Sequence, residues 1–231
     1  MPVLSYSHNL NNIMLQSLDT VTLNRFVADQ ISNLLPDSEV KTEILYPFIK
    51  KAMKRTEHCF SKVKNKYFFD GSQVRFNHLN TDQYAMFLYY LSNTIWQEER
   101  DEHLAGRVYY LNKALHGIDI FYEAKLPDIF LLVHCVGTVL GRAEYQDCFV
   151  AYQRVTVGGN NQKYPRLGKG IVMYGNSALI GNSKIGDNCF MSYGTFVLDD
   201  DIPSNMVVFG HSPNISYKET RKRVIERFFF E

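Results

Sequence analysis

From Leu167 onward an aliphatic residue stands at every sixth position: Leu167, Met173, Leu179, Ile185, Met191 and Val197. A second six-residue column, Ile171, Ser177, Ser183, Cys189 and Thr195, is mostly small, and turn-tolerant Gly, Asp and Asn recur between the two. A period of six fits neither an amphipathic helix nor an ordinary meander. It fits a parallel β-helix, in which the chain turns a corner after each short strand and the same inward position returns once per hexad. Three hexads close a triangular coil, and each coil stacks on the last at about 4.8 Å. Upstream the frame is looser. Ile120, Leu126, Leu132 and Thr138 keep the step, Glu144 breaks it, and Val150 and Thr156 resume it. Val157 and Leu167 are ten apart, so four residues are added and Gly158 to Arg166 becomes a loop projecting from the coils. Loops of this kind pack against a neighbouring subunit or cover a cleft.

Before Gly117 the sequence reads as helices. Asp19 or Thr20 can cap a segment in which Leu23, Phe26, Val27, Ile31 and Leu34 share a face, and Leu35-Pro36-Asp37-Ser38 ends it and caps the next. That next segment runs to about Val63, with Ile44, Leu45, Phe48, Ile49 and Met53 on one face. Asp70-Gly71-Ser72 signals a turn, Asn80-Thr81-Asp82 caps an apolar helix from Gln83 to about Trp96, and a charged link leads into a last helix through Leu115. The expected fold is α+β: a helical N-terminal domain over 1–117, a left-handed parallel β-helix over 118–213, and a tail or helix over 214–231.

With 231 residues, two modest domains can each bury a core. The 25 Lys plus Arg against 24 Asp plus Glu leave a formal charge of +1, so no global field draws the chain onto nucleic acid or an anionic membrane. The apolar stretch Tyr84 to Leu91 is too short to span a bilayer, and Met1 to Asn12 lacks the pattern of a secretory signal, which makes the cytoplasm the expected compartment. Cys59, Cys135, Cys148 and Cys189 have no CxxC spacing and read as reduced, buried thiols. No metal is expected: a zinc site of the kind built on such helices needs three converging histidines, and only His134 lies within the regular coils.

With the hexads in view, the stretch His134-Cys135-Val136-Gly137-Thr138-Val139-Leu140-Gly141 resembles the hexapeptide-repeat acyltransferases, and within them the serine acetyltransferase branch. Gln153-Arg154-Val155-Thr156-Val157-Gly158-Gly159 is similar to that branch's Q-x-V-T-L-G-G, and the resemblance covers Asp119 to about Pro213. It implies a homotrimer with active sites between subunits, alone or as a dimer of trimers, and acetyl-CoA lying along the coils as acyl donor. It also implies a catalytic histidine supported by an aspartate fifteen residues earlier, the separation of Asp119 and His134. The chemistry agrees. Acetyl transfer to a hydroxyl needs a base near neutral pKa, a carboxylate on the other ring nitrogen fixes the tautomer, and the oxyanion needs donors. The family-matched donor is the backbone N–H of Gly159. Gly175, Ser192, Tyr193 and Gly210 fall on the expected CoA path, with Tyr193 where the family has a small residue. Lys218, Arg221, Lys222 and Arg223 form a basic tail that reads first as a solvated face.

Two departures concern the acceptor. The family's aspartate before the catalytic histidine is Val133 here, and its Arg-His pair is Lys163-Tyr164, followed by Pro165. An amino acid brings an ammonium that wants a carboxylate and a carboxylate that wants a cation. Lys163 or Arg166 can meet an anion, but a hydrocarbon stands where the carboxylate would. Tyr164 offers a ring suited to stacking on a sugar. The sequence therefore favours a small hydroxyl-bearing acceptor of the sugar type, as in surface-polysaccharide precursors, over L-serine. A non-catalytic scaffold is the alternative of another class. In the serine enzymes an acidic residue from the helical domain reaches the site, and Asp82 is the candidate here, with a helix cap as its competing role.

Overall fold

A computed structural model gives the architecture of residues 14–230; the polar stretch Met1 to Asn12 lies outside the described residues. Four helices come first: α1 (Thr20–Leu34), α2 (Thr42–Phe60), α3 (Thr81–Glu99) and α4 (Glu102–His116). Short strands β1 (Met14–Gln16) and β2 (Val74–Phe76) pair in parallel beside them. Side-chain caps start three of the helices: Asp19, Asn80 and Asp101 accept from the N–H groups of Thr22, Gln83 and Leu104. The second helix starts at Thr42 without one, so Asp37 and Ser38 do not cap it; they hold the buried Arg107 instead. On α1, Leu23, Val27 and Ile31 are buried, whereas Leu34 and, on α2, Ile44 face outward. α3 is buried on all sides from Gln83 to Ile95, the central helix of its layer.

The second half is a parallel β-solenoid of about five turns. One face stacks β3 (Phe130–Leu132), β6 (Phe149–Ala151), β9 (Ile171–Met173), β12 (Cys189–Met191) and β15 (Met206–His211). A second stacks β4 (Val139–Leu140), β7 (Thr156–Gly158), β10 (Ala178–Ile180) and β13 (Phe196–Leu198). The third stacks β5 (Glu144–Tyr145), β8 (Arg166–Leu167), β11 (Lys184–Ile185) and β14 (Asp201–Ile202). Register couples Leu167 to Ile185, Met173 to Met191 and Leu179 to Val197, one coil apart, and all six hexad residues are buried. The small column works as expected: the hydroxyls of Ser177, Ser183 and Thr195 donate to the carbonyls of Tyr174, Ile180 and Val208, closing the corners from within.

The upstream frame is one residue out. Tyr145, Ala151 and Val157 pair with Leu167, Met173 and Leu179, so these point inward rather than Glu144, Val150 and Thr156. The cause is two uneven steps. Six residues separate β3 from β4, where four separate β6 from β7, β9 from β10 and β12 from β13. Inward Tyr145 then follows inward Leu140 after five residues rather than six, so a gain of two and a loss of one leave the frame one out.

The solenoid's two open ends are closed differently. At the first rung, α2 and α3 supply side chains for backbone groups that no earlier strand can satisfy. Tyr89 Oη donates to Ala124 O and accepts from Leu126 N, Tyr90 Oη donates to Asp128 O, and Cys59 Sγ lies 3.1 Å from Phe130 O. At the last rung, residues 214–219, expected to begin the tail, form β16 (Asn214–Glu219), which pairs antiparallel with β15 and covers its edge. The chain then returns along the first face. Val224 packs over Gly170 and bonds Asn188, α5 (Val224–Phe228) follows, and Phe229 pairs with Val63 on the helical domain.

Candidate active site

His134 sits on the long first corner. Its φ is +53°, its side chain is exposed, and no hydrogen bond within the described residues engages its ring. The two extra residues have no rung partner for their amides. Asp82, in the first turn of α3, supplies one: Oδ2 accepts from His134 N at 3.0 Å and Oδ1 from Cys135 N at 3.2 Å. Asp82 is therefore not the cap of α3, which is Asn80. Burial, with the Asp82 charge second, pushes the Cys135 thiol up to about 12, so it is an inert neighbour. All four cysteines are free and buried.

Asp119, expected to support the His134 ring, is engaged elsewhere. Its Oδ1 accepts from Tyr109 Oη at 2.7 Å and its Oδ2 from Lys113 Nζ at 2.6 Å. Gly117, left-handed at φ +62°, ends α4 so sharply that the helix's last turns lie over Asp119. Asp119 raises the Lys113 pKa, while burial is the first cause raising that of Tyr109. No hydrogen bond joins Asp119 to His134. A fifteen-residue separation brought the two to neighbouring coils, but the partner from α4 was invisible to it.

The projecting loop is a tight turn in which Asn160 and Lys163 exchange backbone bonds at 2.9 Å, with Asn161 and Gln162 at positive φ. Gly159 precedes it, exposed, its N–H without a backbone partner. The Tyr164 ring lies directly on Gly159; a Cβ there would come within 2.6 Å of Tyr164 Cε1. The Arg142 guanidinium stands over the other part of that ring, 5.6 Å from its centroid. Arg166 is turned onto the charged third face, where it pairs with Glu144 at 3.2 Å. Lys163 has no ion-pair partner among the described residues. Val133 remains a half-buried hydrocarbon beside His134.

The residues expected along CoA form a line. Backbone bonds from Arg154, Asn176 and Gly194 to Val136, Gln153 and Gly175 stack one corner rung by rung. Gly175 lies between the Gln153 and Tyr193 side chains, and a Cβ there would be 2.9 Å from Gln153 Nε2. Tyr193 is 68% exposed. Ser192 precedes it, and Gly210 follows one rung below, left-handed at φ +84° where β15 meets β16. Among the described residues no three His, Cys, Asp or Glu side chains converge as metal ligands, and no helix is long and apolar enough to cross a membrane.

Comparison with known proteins agrees with this geometry. No family model matches the chain. A serine acetyltransferase of Synechococcus elongatus is 31% identical over 114 residues, 47% of this chain and 46% of that protein. The chain thus spans about half the length of the curated relatives it matches. The serine acetyltransferase of Neisseria gonorrhoeae, also solved in complex with serine, superposes with a TM-score of 0.67 at 19% identity, over 90% of this chain and 86% of that one. That of Brucella abortus in complex with coenzyme A gives a TM-score of 0.66 at 17% identity, over 89% and 84%. The solenoid and its preceding helices have the hexapeptide-repeat fold of these structures. In sequence the chain is similar to serine acetyltransferases over about half of its length.

Proposed function

We propose that the chain is an acetyl-CoA-dependent O-acetyltransferase that acetylates the hydroxyl of L-serine, with His134 as general base. The observation that carries this reading is the exposed imidazole of His134, without a hydrogen bond among the described residues, on the lengthened first corner of a serine acetyltransferase-like solenoid. His134 would take the hydroxyl proton as the oxygen attacks the thioester carbonyl, and Gly159 N–H would donate to the oxyanion. On collapse, the imidazolium would return the proton to the departing thiolate, leaving an ester and the free CoA thiol. Coenzyme A supplies only the activated acyl group. The corner line through Gln153, Gly175, Tyr193 and Gly210 would receive its arm, and Tyr193 is the side chain available to pack against it. Lys163, which has no ion-pair partner among the described residues, would meet an acceptor carboxylate.

Val133 and the Tyr164 ring favour a second reading, a sugar hydroxyl. Thiol release from acetyl-CoA with L-serine and with nucleotide sugars separates the two. Turnover of serine is expected; turnover of sugars alone would overturn the serine assignment.

We further propose a homotrimer. No described residue covers the face of β4, β7, β10 and β13, and Val139, Ala178, Ile180, Phe196 and Leu198 point outward from it. By contrast the first face is buried under helices and the returning tail, and the third is charged. An uncovered apolar face of a stack is an interface in the making. The expected result of sedimentation equilibrium is a particle of three chains; a monomer at micromolar concentration would remove this proposal.

A further inference from the structure

An inserted pair of residues in a solenoid corner is an unfavourable place for a reacting group. The insertion breaks the ladder, leaves two amides without rung partners, and holds a non-glycine residue at positive φ, at a cost of about 1–3 kcal/mol. Left alone such a corner would sample several shapes, and the imidazole it carries would move with it. Here both orphan amides, His134 N and Cys135 N, converge on one carboxylate, that of Asp82. That carboxylate does not belong to the solenoid. It stands in the first turn of α3, at the positive end of a nineteen-residue helix whose interior is buried. The cap of α3 is already provided by Asn80, and among the described residues no ion pair engages Asp82, so neither role explains it.

From this we infer that Asp82 is a positioning residue for His134: by accepting from two successive N–H groups it fixes the backbone of the lengthened corner, and so makes the helical domain part of the acetyl-transfer apparatus. This rests on the reading of His134 as the base. The bond is to backbone, so it sets where the ring stands without touching the ring's proton. Catalysis is sensitive to such placement, since an error of about 1 Å can cost about a hundredfold. Direct contact between Asp82 and the acceptor's ammonium is the competing role, and it makes different demands: a full negative charge and an effect on acceptor binding.

The test compares Asp82→Ala, Asp82→Asn and His134→Ala in the full chain, with steady-state kinetics and hydrogen exchange of the peptide spanning 133–137. Asp82→Ala is expected to lower kcat by about ten- to thirtyfold, with KM for acceptor and acetyl-CoA within about twofold, and to speed amide exchange in that peptide. Asp82→Asn keeps one accepting oxygen but turns an NH2 donor toward the second amide, so it is expected to recover kcat only in part, to about three- to tenfold below the parent. An Asp82→Ala kcat within about twofold of the parent would overturn the inference. So would a raised acceptor KM that Asp82→Asn fails to rescue, which would assign Asp82 to the acceptor instead. If Asp82→Ala does not fold, Asp82→Asn together with its exchange rate decides between the same outcomes. If His134→Ala keeps its turnover, the general-base reading itself has failed. If His134→Ala is inactive while both Asp82 variants are unimpaired, only the positioning role is lost.

Discussion

His134→Ala is expected to lower kcat by at least about two orders of magnitude while the Kd for CoA changes by less than about threefold. The His134 ring is exposed and makes no hydrogen bond among the described residues, so its removal costs little folding energy; surface changes of this kind lie within about 0.5 kcal/mol. The one structural hazard is the backbone. His134 is at φ +53°, where alanine is less at ease than asparagine. His134→Asn is therefore the matched variant: it accepts the same corner but cannot act as a base near pH 7, and it should be as inactive as His134→Ala. Circular dichroism melts of both should overlay the parent's. The accompanying Asp119→Asn should be milder, about tenfold in kcat, because the Asp119 carboxylate is committed to Tyr109 and Lys113 and makes no bond to the imidazole. A loss as deep as that of His134→Ala would mean that Asp119 leaves α4 and joins the ring during turnover. Full activity in His134→Ala would remove His134 from the mechanism.

The reach of the sequence differs along the chain for a physical reason. From Leu167 to Val197 each strand and its corner together take six residues, so the inward position recurs at six and the hexads can be read directly. Before that, the corner after Leu132 is two residues long of the norm, and a pattern of hydrophobic positions cannot distinguish a longer corner from a shifted frame. Val150 misleads in particular. It is fully buried, but under the helices and the returning tail rather than inside the solenoid, and burial on either side of a strand gives the same apolar letter. The spacing of Asp119 and His134 was legible, and the engagement of Asp119 by Tyr109 and Lys113 was not, because those groups belong to a helix whose docking is a tertiary event. Asp82 was legible as a candidate for the site through the family resemblance, with a helix cap as its competing role, but not as a partner of the lengthened corner. Its bonds go to backbone amides, which carry no side-chain signature at all.

Phe130→Ala is expected to cost about 3–5 kcal/mol of stability, the range for emptying a buried aromatic site. Phe130 is fully buried in the first rung, with its ring 5.7 Å from that of Tyr89 and 5.4 Å from that of Tyr90. Those tyrosines also close the rung's backbone through Ala124, Leu126 and Asp128, so the apolar contact and the hydrogen bonds share one joint. Against a typical net stability of about 5–15 kcal/mol this is a large fraction, and at about 2–4 °C per kcal/mol the melting temperature should fall by about 10 °C. The same substitution should also reach the reaction. Tyr89 and Tyr90 lie on α3, two turns along from Asp82, so a loosened α3 would slacken the grip on His134 and Cys135. The expected result is a lower kcat at temperatures well below the melt, with faster amide exchange in 133–137. Val21→Ser, on the exposed side of α1, is the control and should change neither quantity. A Phe130→Ala protein that melts with the parent would show that the helices and the solenoid are held together elsewhere, most plainly by the tail that pairs Phe229 with Val63. One that melts early yet keeps its kcat would separate the joint's stability from its part in catalysis, and would place the burden of holding the corner on the solenoid alone.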